Sequence, residues 1–371
     1  MRVIVSAAGT AGHINPALAI ANKIREKEPN SEIIFIGTNR GLENDLVPRA
    51  GYKLKHIEAY GLKKEISFNN FKHIIETLKS TKKVKKIIDD FKPDLVVGTG
   101  GYICGPVFSA ATSKKIPTAL HESNAYPGRA VNMFAKKVDV VLVGLEAAKE
   151  KLKKAKKVVF TGNPTKIKKL NISSNQKEKI LSELGIKNNL PIVLIFGGSQ
   201  GASVINEAIV EMVKLNKDRN YHIIWATGQT QYDIVKENFD QYDISLGSIK
   251  NVKVVPYIYN MEELINICDL VICRSGAMTV TEIAICGKPA IFIPLPSYSA
   301  NRQEDNARVL EKLGAAKVIL NNELTAEKLS NEIDNIIYDR NKIEQMGQKA
   351  NQIAVHDVEE KIYNELIKIL K

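Results

Sequence analysis

Hydrophobic positions along the chain fall into short continuous runs instead of alternating with polar ones. In the first half, the runs predict strands at 2–7, 31–37, 95–98, 117–121, 138–143 and 158–161. The second half repeats the pattern, with predicted strands at 192–196, 221–226, 252–255, 270–273, 290–293 and 316–319. Helical patterns separate most of the runs, and apolar strands of this kind are typical of parallel sheets covered on both faces. The pattern predicts an α/β protein with two Rossmann-like domains.

The length of the chain supports the same division. At 371 residues it is too long for one ordinary core and suits two domains. The turn sequence Thr161-Gly162-Asn163-Pro164 follows the last predicted strand of the first half and predicts a hinge. We therefore expect an N-terminal domain over 1–163 and a C-terminal domain over 164–356. The helical pattern near 357–371 is expected to pack back on the N-terminal domain.

The positive charge is concentrated in two segments. The formal net charge is +12, and residues 63–92 hold nine lysines against four acidic residues. Residues 136–169 hold eleven lysines against three acidic residues. Such concentration favours a basic surface that meets nucleic acid, phospholipid headgroups or a phosphorylated substrate. Lysine-rich helix faces that are simply solvated are the alternative.

The remaining composition excludes several classes of protein. Hydrophobic residues make up 44% of the chain, and no apolar run approaches the roughly 20 residues that a membrane helix needs. Met1 leads directly into a predicted strand without the layout of a signal peptide, so we expect a cytoplasmic protein. The four cysteines have neither metal-ligand nor disulfide spacing and are expected to be reduced.

Three glycine-rich turns follow predicted strands. They read Gly-Thr-Ala-Gly-His at 9–13, Gly-Thr-Gly-Gly at 98–101 and Gly-Gly-Ser-Gln-Gly-Ala at 197–202. A buried strand that runs into glycines and then into a helix presents bare backbone N–H groups to a phosphate. We therefore expect phosphate-bearing ligands at these turns.

His13 and Glu122 are the candidate bases. His13 precedes a helix that we expect to begin at Asn15-Pro16, and a helix N-terminus disfavours the protonated imidazole. His13 is therefore expected to be neutral and able to accept a proton, with a surface or capping histidine as the alternative. Glu122, or the adjacent His121, is a second candidate at a strand end, and a satisfied loop residue is again the alternative.

The second half carries a candidate pyrophosphate site after the strand at 270–273. Ser275 and Gly276 form a turn, and the helix that follows has free N–H groups able to hold a pyrophosphate. Glu282 lies inside this helix within reach of ribose hydroxyls, although an ordinary helix glutamate is the alternative. The sequence has no Asp-x-Asp at a strand end and no Walker-type loop, so no metal site is expected. A cation such as Lys166 is expected to help neutralise a diphosphate.

The segment 66–91 carries two apolar stripes at helical spacing. Their members are Phe71, Ile74, Ile75 and Leu78 in one stripe, and Val84, Ile87, Ile88 and Phe91 in the other. On one unbroken helix the stripes point roughly 140° apart, so only one of them can face the same core. An exposed apolar stripe among lysines suits shallow insertion into an anionic bilayer. A helix break near Ser80-Thr81 that buries both stripes is the alternative.

Six motifs, in this order, resemble the MurG family of bacterial peripheral-membrane N-acetylglucosaminyltransferases, and the resemblance runs over nearly the whole chain. The motifs are Gly-Thr-Ala-Gly-His at 9–13, Gly-Gly-Tyr-Ile-Cys-Gly-Pro at 100–106, His-Glu-Ser-Asn-Ala-Tyr-Pro-Gly at 121–128, Gly-Asn-Pro at 162–164, Gly-Gly-Ser-Gln-Gly-Ala at 197–202 and Arg-Ser-Gly-Ala-Met-Thr-Val-Thr-Glu at 274–282. The resemblance implies the GT-B fold, with two Rossmann-like domains and the active site in the cleft between them.

The activity implied by the resemblance is an inverting transfer without cofactor or metal. GlcNAc would pass from UDP-GlcNAc to the MurNAc 4-hydroxyl of lipid I, which makes lipid II for peptidoglycan. The implied partners are these two substrates and an anionic membrane surface met by the 66–91 face, with no nucleic acid. The implied location is the cytoplasmic face of the cell membrane, as a peripheral protein.

The resemblance also assigns residues to the two substrates. His13 is the implied catalytic residue, and Glu122 stays the second candidate. Gly9, Gly100 and Gly101 are implied at the acceptor pyrophosphate. The implied donor set is Thr10, Ala11, Gly12, Asn124, Lys166, Ser199, Ile258, Ala277, Met278, Thr279, Val280, Thr281, Glu282 and Gln303.

Within the donor set, Glu282 is expected on the ribose and Ile258 near the uracil. Ala11 departs from the family pattern because it replaces the usual second glycine of the first turn. Lys166 stands where the family usually has arginine, and it keeps the charge without the bidentate geometry.

Two other functions remain open at this point. One is another membrane-associated GT-B transferase, such as a diacylglycerol glycosyltransferase, which would share the basic face and use a different acceptor. The other is a non-catalytic sugar-nucleotide-binding subunit. His13, together with the complete donor turn at 274–282, argues against the second.

Overall fold

The chain divides into two units. A computed structural model describes residues 1–60, 68–186, 190–198, 201–215, 219–296 and 302–370, with the backbone alone at 68–74. The first unit comprises Met1–Thr165 and Val355–Lys371, and the second comprises Lys166–Ala354.

The first unit is built on a parallel sheet, as the continuous apolar runs predict. Its described strands are β1 (Arg2–Ser6), β2 (Glu32–Gly37), β3 (Lys53–His56), β4 (Leu95–Gly98), β5 (Thr118–Glu122), β6 (Val140–Val143) and β7 (Val158–Phe160). They lie in the order β3-β2-β1-β4-β5-β6-β7. Successive residues of β1 pack into two different clusters, Ile4 into one and Val5 into the other, because helices cover both faces.

Strand β3 is missing from the sequence prediction. Its four residues read Lys-Leu-Lys-His, and three of them are exposed. The strand lies at the edge of the sheet and pairs with β2. Lysines on an edge strand hinder pairing with another chain, and the same lysines remove the apolar run by which a strand is recognised.

Helices of the first unit follow its strands. They are α1 (Ala11–Lys27), α2 (Glu43–Arg49), α3 (Phe68–Phe91), α4 (Cys104–Ser113) and α5 (Arg129–Phe134), with a 3₁₀ helix at Glu146–Lys151. Among the described residues, no helix combines the length and the apolarity needed to cross a bilayer.

Helix α3 continues unbroken through Ser80-Thr81, so the predicted alternative of a break there is wrong. The stripe that begins at Val84 faces the core: Val84 and Ile88 are buried, and Ile87 and Phe91 pack against the same cluster. Ser80 is also buried, and its hydroxyl donates to the Glu58 carbonyl oxygen. One stripe of α3 is therefore part of the core.

The other stripe of α3 is exposed where the structure describes it. The exposed fractions of Ile75 and Leu78 are 39% and 60%. Lys79, Lys82 and Lys86 are exposed at positions that share this face of the helix. Residues 66–67 and the side chains of Phe71 and Ile74, which belong to the same prediction, lie outside the described residues.

The second unit repeats the parallel design. Its described strands are β8 (Ile192–Phe196), β9 (His222–Ala226), β10 (Val252–Val255), β11 (Leu270–Cys273), β12 (Ala290–Phe292) and β13 (Ala316–Val318), in the order β10-β9-β8-β11-β12-β13. Its helices are α6 (Ser174–Glu183), α7 (Ser203–Leu215), α8 (Tyr232–Asp240), α9 (Met261–Ile267), α10 (Ala277–Cys286), α11 (Gln303–Lys312), α12 (Ala326–Ile337) and α13 (Arg340–Asn351), with a 3₁₀ helix at Leu246–Ser248. Each predicted strand of this half corresponds to an observed one.

The last helix, α14 (Val358–Lys368), belongs to the first unit and packs on α1. Val358, Ile362 and Leu366 are buried in the same cluster as the inner residues of α1. Polar contacts surround this apolar seam, since Glu360 pairs with Lys23 and Lys27 of α1 at 3.1 and 2.9 Å. The chain end is therefore part of the first unit's core.

Candidate active site

Both units place glycine-rich turns where the strand order reverses. In the first unit β1 lies between β2 and β4, and in the second β8 lies between β9 and β11. Ligands of open α/β sheets bind beside the carboxyl ends of the strands at such a switch point. The turns that follow β1 and β4, and those that follow β8 and β11, are therefore the candidate sites.

The turn after β1 opens directly into α1. Gly9 has a φ of 95°, Thr10 is the N-cap, and α1 begins at Ala11, earlier than the predicted start at Asn15. Pro16 suggested a first-turn position, yet it lies one turn further in. The N–H groups of Ala11 and Gly12 have no acceptor within the described ranges. Bare N–H groups at a helix start favour an anion.

Gly9 differs from these two residues because its polar backbone groups are already bonded. Its N–H donates to Glu43 Oε2 at 2.9 Å, and its carbonyl accepts the Leu42 N–H at 3.0 Å. The geometry therefore favours Ala11 and Gly12 over Gly9 as donors to a pyrophosphate. The sequence analysis does not single out Glu43. The signal in the sequence is Gly41, two residues earlier, because a side chain there would overlap the Glu43 carboxylate.

The His13 imidazole lies over Gly100 and Gly101 of the turn after β4. A Cβ added at Gly100 would lie 3.4 Å from His13 Cδ2, and one at Gly101 would lie 3.8 Å from Nδ1. The φ angles of these glycines are 91° and 78°, in the left-handed region that favours glycine. Thr99 Oγ1 also donates to the His13 carbonyl at 2.7 Å. The turns after β1 and β4 thus form one site around an imidazole.

The electrostatics of this site suit a proton acceptor. Burial lowers the pKa of His13 below its ordinary value of 6.5, so the imidazole is neutral at neutral pH. The N–H groups of Gly100 and Gly101 also have no acceptor in the part of the chain that the structure describes. A neutral base therefore lies beside a set of bare N–H donors.

Glu122 holds its own loop at the end of β5. Oε1 accepts the backbone N–H and the side-chain Nδ2 of Asn124, both at 2.9 Å, and Oε2 accepts the Gly128 N–H at 2.7 Å. The carboxyl is buried, and burial raises the pKa of Glu122 although these hydrogen bonds act against the rise. The contacts favour the satisfied loop residue over the catalytic base, and Asn124 is oriented by them.

His121 is buried completely beneath this loop. Its Nε2 lies 3.2 Å from the Gly162 carbonyl oxygen and Nδ1 lies 3.5 Å from Ser123 Oγ. Burial lowers the pKa of His121 to about 4, so the ring is neutral at neutral pH. These contacts make His121 a residue that ties β5 to the predicted hinge turn.

The turn after β8 is shaped by close backbone contacts. A Cβ added at Gly201 would overlap the Thr227 carbonyl oxygen, and one at Gly197 would lie 2.5 Å from the Ala202 nitrogen. Gly201 also has a φ of 79°. Only glycine fits these two positions without a shift of the backbone. Ser199, predicted on the donor, lies outside the described residues.

The turn after β11 opens α10 with Gly276 as its N-cap. The N–H groups of Ala277, Met278 and Thr279 have no acceptor among the described residues. They are the bare first-turn donors that the sequence predicts for a pyrophosphate. Glu282 lies further along the same helix and is partly exposed.

Two members of the predicted donor set in α10 face inward. Val280 is completely buried, and Thr281 Oγ1 donates to the Ala277 carbonyl at 2.9 Å. Their side chains therefore support the helix, and the helix start offers its backbone groups. This distinction between side chain and backbone is not visible in the motif.

Gln303 and Ser275 join the turn after β11 to the start of α11. Ser275 Oγ donates to the Gln303 carbonyl at 2.8 Å, and Gln303 Oε1 accepts the Leu295 N–H at 2.9 Å. Arg274 donates to Asn321 Oδ1 at 2.8 Å and to the Ile293 carbonyl at 2.9 Å. These bonds brace the loops at the carboxyl edge of the second sheet.

The remaining predicted residues of the second unit have separate positions. The Ile258 side chain lies just after β10 and is buried in a core cluster, so it anchors its loop to the core of the second unit. Lys166 is exposed at the start of the second unit. Neither observation tests a contact with the donor, and both assignments stay predictions.

Comparisons with known proteins agree with this architecture. Residues 3–143 match the glycosyltransferase family 28 N-terminal domain, and residues 192–362 match the glycosyltransferase family 28 C-terminal domain. A crystal structure of MurG from Acinetobacter baumannii superposes with a TM-score of 0.79 at 28% identity and covers 99% of each chain.

Curated relatives share the full length of the chain. One from Acetivibrio thermocellus is named UDP-N-acetylglucosamine--N-acetylmuramyl-(pentapeptide) pyrophosphoryl-undecaprenol N-acetylglucosamine transferase, and it is 44% identical over 374 residues, covering 100% of this chain and 99% of that protein. A relative of the same name from Caldanaerobacter subterraneus is 42% identical over 370 residues and is covered completely. Full-length identity at this level, on the two-sheet fold described above, shows that the chain is a glycosyltransferase and belongs to the MurG family within glycosyltransferase family 28.

Proposed function

We propose that this chain transfers GlcNAc from UDP-GlcNAc to the MurNAc 4-hydroxyl of undecaprenyl-pyrophosphoryl-MurNAc-pentapeptide, lipid I, to make lipid II with inversion. Its relatives are named for this transfer. One observation carries the proposal at the level of residues: the neutral His13 imidazole lies over Gly100 and Gly101 at the switch point of the first sheet.

The acceptor is proposed to bind in the first unit. A pyrophosphate carries charge that bare N–H groups and a helix start neutralise without a metal. Ala11, Gly12, Gly100 and Gly101 supply such groups around His13. We therefore assign the acceptor pyrophosphate to these four residues and give Gly9 a supporting role. This proposal takes Ala11 and Gly12 out of the donor set that the resemblance implies.

The chemical step is a single displacement at the anomeric carbon. The His13 imidazole accepts the proton of the 4-hydroxyl while that oxygen bonds to the anomeric carbon of GlcNAc. The bond from that carbon to the UDP oxygen breaks, and UDP leaves with the electron pair. Because attack and departure occur on opposite faces of the sugar, the configuration inverts.

Glu122 is proposed to orient Asn124 and to leave the proton transfer to His13. Both of its carboxylate oxygens already accept hydrogen bonds from the loop that follows β5. Asn124 is held in this way beside the carboxyl end of β4, where we propose that the donor sugar binds.

The donor nucleotide is proposed to bind in the second unit. The bare N–H groups of Ala277, Met278 and Thr279 stabilise the diphosphate as negative charge develops on UDP. Glu282 is proposed to accept hydrogen bonds from the ribose, and the loop around Ile258 to contact the uracil. Lys166 supplies a further positive charge for the leaving group.

Membrane attachment is proposed through helix α3. Its exposed face joins Ile75 and Leu78 to lysines, whereas its opposite stripe is fixed in the core. An apolar stripe bordered by lysines inserts among acyl chains while the charges meet anionic headgroups. We propose that the protein is peripheral and works at the cytoplasmic face of the cell membrane.

Incubation of purified protein with radiolabelled UDP-GlcNAc and either lipid I or diacylglycerol tests the proposal. The expected result is label transferred to lipid I alone. Transfer to diacylglycerol would instead identify another membrane-associated transferase. Binding of UDP-GlcNAc without transfer of GlcNAc to either acceptor would instead indicate a non-catalytic binding subunit.

A further inference from the structure

The loop between β2 and the first residue of α2 forms hydrogen bonds with both backbone polar groups of Gly9. Gly9 donates its N–H to Glu43 Oε2 at 2.9 Å, and its carbonyl oxygen accepts the Leu42 N–H at 3.0 Å. Gly9 is the residue at which the chain leaves β1 and turns, with a φ of 95°, into α1. These contacts therefore hold the backbone directly before Thr10, the N-cap of α1.

Glu43 is a fully buried carboxylate, which is uncommon for this side chain. Oε1 accepts the Thr38 N–H at 2.9 Å and the Thr38 hydroxyl at 2.7 Å, and Oε2 accepts Gly9. Burial acts to raise the pKa of Glu43, but the hydrogen bonds from Thr38 and Gly9 outweigh it and the pKa is lowered. The group is therefore charged at neutral pH, and no ion pair to it is present among the described residues.

Two glycines make room for this carboxylate. A Cβ added at Gly37 would lie 2.8 Å from Glu43 Cγ. A Cβ added at Gly41 would overlap Glu43 Oε2 and lie 2.7 Å from the Gly9 nitrogen. Asn44 braces the same loop from outside, since its Nδ2 donates to the carbonyls of Thr38 and Gly41 at 3.0 Å. The loop is thus built around the contact between Glu43 and Gly9.

The residues whose direction depends on this contact are those that face the proposed acceptor. Ala11 and Gly12 follow Gly9 directly and carry bare N–H groups, and His13 follows them. A carboxylate accepts a backbone N–H more strongly than a neutral group does, so it fixes the turn firmly. Accurate placement of a base and of anion donors matters because small displacements slow a reaction steeply.

We propose that Glu43 is a positioning residue for the acceptor side of the active site, acting through Gly9 on the start of α1. The proposal rests on the proposed function, because it assigns the acceptor to the first unit. Glu43 touches neither substrate in this arrangement. Its effect is on where the N–H groups of Ala11 and Gly12 and the imidazole of His13 point.

The Glu43→Gln variant tests the proposal with little change in shape. Its amide NH₂ must face either the Gly9 N–H or the Thr38 N–H, so one of these donors loses its acceptor. We expect kcat/KM for lipid I to fall about ten- to a hundredfold, as is typical when a charge-assisted hydrogen bond is lost. KM for UDP-GlcNAc should stay within about twofold, since the donor site is assigned to the second unit.

Three further variants separate positioning from stability. Asp45→Asn removes an exposed carboxylate of the same helix and should behave as the wild type. Glu43→Asp keeps the charge on a shorter side chain and should recover part of the loss. Gly41→Ala changes no charge, but its Cβ would overlap the carboxylate and crowd the Gly9 nitrogen, so it should reproduce the Glu43→Gln kinetics by breaking the same contact from the other side. If Glu43→Gln does not fold, the graded loss in Glu43→Asp decides the matter.

Hydrogen–deuterium exchange gives a readout that does not depend on activity. The Gly9 and His13 amides, which donate to Glu43 Oε2 and to the Thr10 carbonyl, should exchange faster in Glu43→Gln and Gly41→Ala than in the wild type and in Asp45→Asn. Unchanged exchange, or equal losses for the two substrates, would overturn the positioning role. If the wild-type chain does not act on lipid I, the proposed function fails, and exchange at Gly9 and His13 still tests the contact between Glu43 and Gly9.

Discussion

At the scale of single residues, His13 is the side chain on which the proposed chemistry depends. Replacement by alanine removes the proton acceptor and leaves the bare N–H groups of Ala11 and Gly12 in place. We expect His13→Ala to lower kcat about a hundredfold or more while UDP binding is unchanged. Steady-state kinetics with lipid I and calorimetric titration with UDP measure the two effects. The exposed His356 provides the control, since His356→Ala should keep normal turnover.

The pH dependence of turnover follows from the same imidazole. Burial lowers the pKa of His13 below 6.5, and the neutral form is the active base. As pH falls through the lowered pKa of the free enzyme, the imidazole is protonated and kcat/KM declines, whereas at neutral and higher pH this group causes no loss. A kcat/KM profile of the wild type should therefore show its acid limb below pH 6.5. A limb centred above that value would contradict the assignment.

Gly201 is the residue on which the shape of the turn after β8 depends. In Gly201→Ala the new Cβ overlaps the Thr227 carbonyl, so the turn after β8 must shift. We expect UDP to bind about tenfold or more weakly, which is roughly 1.4 kcal/mol. Gly198→Ala is the matched control, because Gly198 also has a positive φ of 98° but has open space around it. Equal effects of the two variants on the dissociation constant would show that the overlap is unimportant.

The sequence predicts the residues whose chemistry is written in a local motif, such as His13 and the bare donors of α10. Glu43 could not be predicted in this way, because its burial depends on Gly9, which is 34 positions away. The sequence also predicts Glu122 as a candidate base, but it does not reveal that Asn124 and Gly128 donate hydrogen bonds to the two carboxylate oxygens. Residue type indicates which chemistry a side chain is capable of. Its tertiary contacts decide whether its polar atoms are already hydrogen-bonded within the protein.

At the scale of elements, helix α3 has two faces with separate tasks. Leu78→Glu places charge on the exposed stripe, so we expect binding to phosphatidylglycerol vesicles to weaken about tenfold while stability is unchanged. Ile88→Ala removes buried side chain from the opposite stripe and should destabilise the first unit by about 2–4 kcal/mol. Vesicle sedimentation and urea unfolding measure the two properties.

Leu215→Glu is the control for the exposed stripe, because Leu215 is 72% exposed on a helix of the second unit. It should leave vesicle binding unchanged. Equal loss of binding in Leu215→Glu and Leu78→Glu would mean that α3 is not the membrane face. Retained binding in Leu78→Glu alone would give the same conclusion.

Strands that are buried along their whole length could be predicted from the sequence, and an exposed edge strand could not. Strands such as β8 and β11 are buried along their whole length, so their composition reveals them. Strand β3 lies at an edge, where solvent permits lysines and the apolar signal disappears. The predicted start of α1 at Asn15 is wrong. Pro16 has the residue type of a first-turn position, but the N-cap is Thr10, so Pro16 lies inside the helix.

At the scale of the whole molecule, each unit has its own buried clusters. Leu366 of α14 is completely buried in a cluster of the first unit, together with residues of α1. Trp225, the single tryptophan of the chain, is completely buried in the second unit, in the cluster that also holds Leu329. Tryptophan fluorescence therefore reports on the unfolding of the second unit, and circular dichroism reports on both units.

This division predicts that damage to α14 stays within the first unit. We expect Leu366→Ala to destabilise the first unit by about 2–5 kcal/mol, because a buried leucine leaves a cavity. In urea titrations, part of the circular dichroism transition should move to lower concentration while the Trp225 fluorescence transition stays in place. Leu329→Ala, an equally buried leucine of the second unit, should shift the fluorescence transition instead. If Leu366→Ala moves the fluorescence transition as far as Leu329→Ala does, the two units unfold as one cooperative body and their separate stabilities have no meaning.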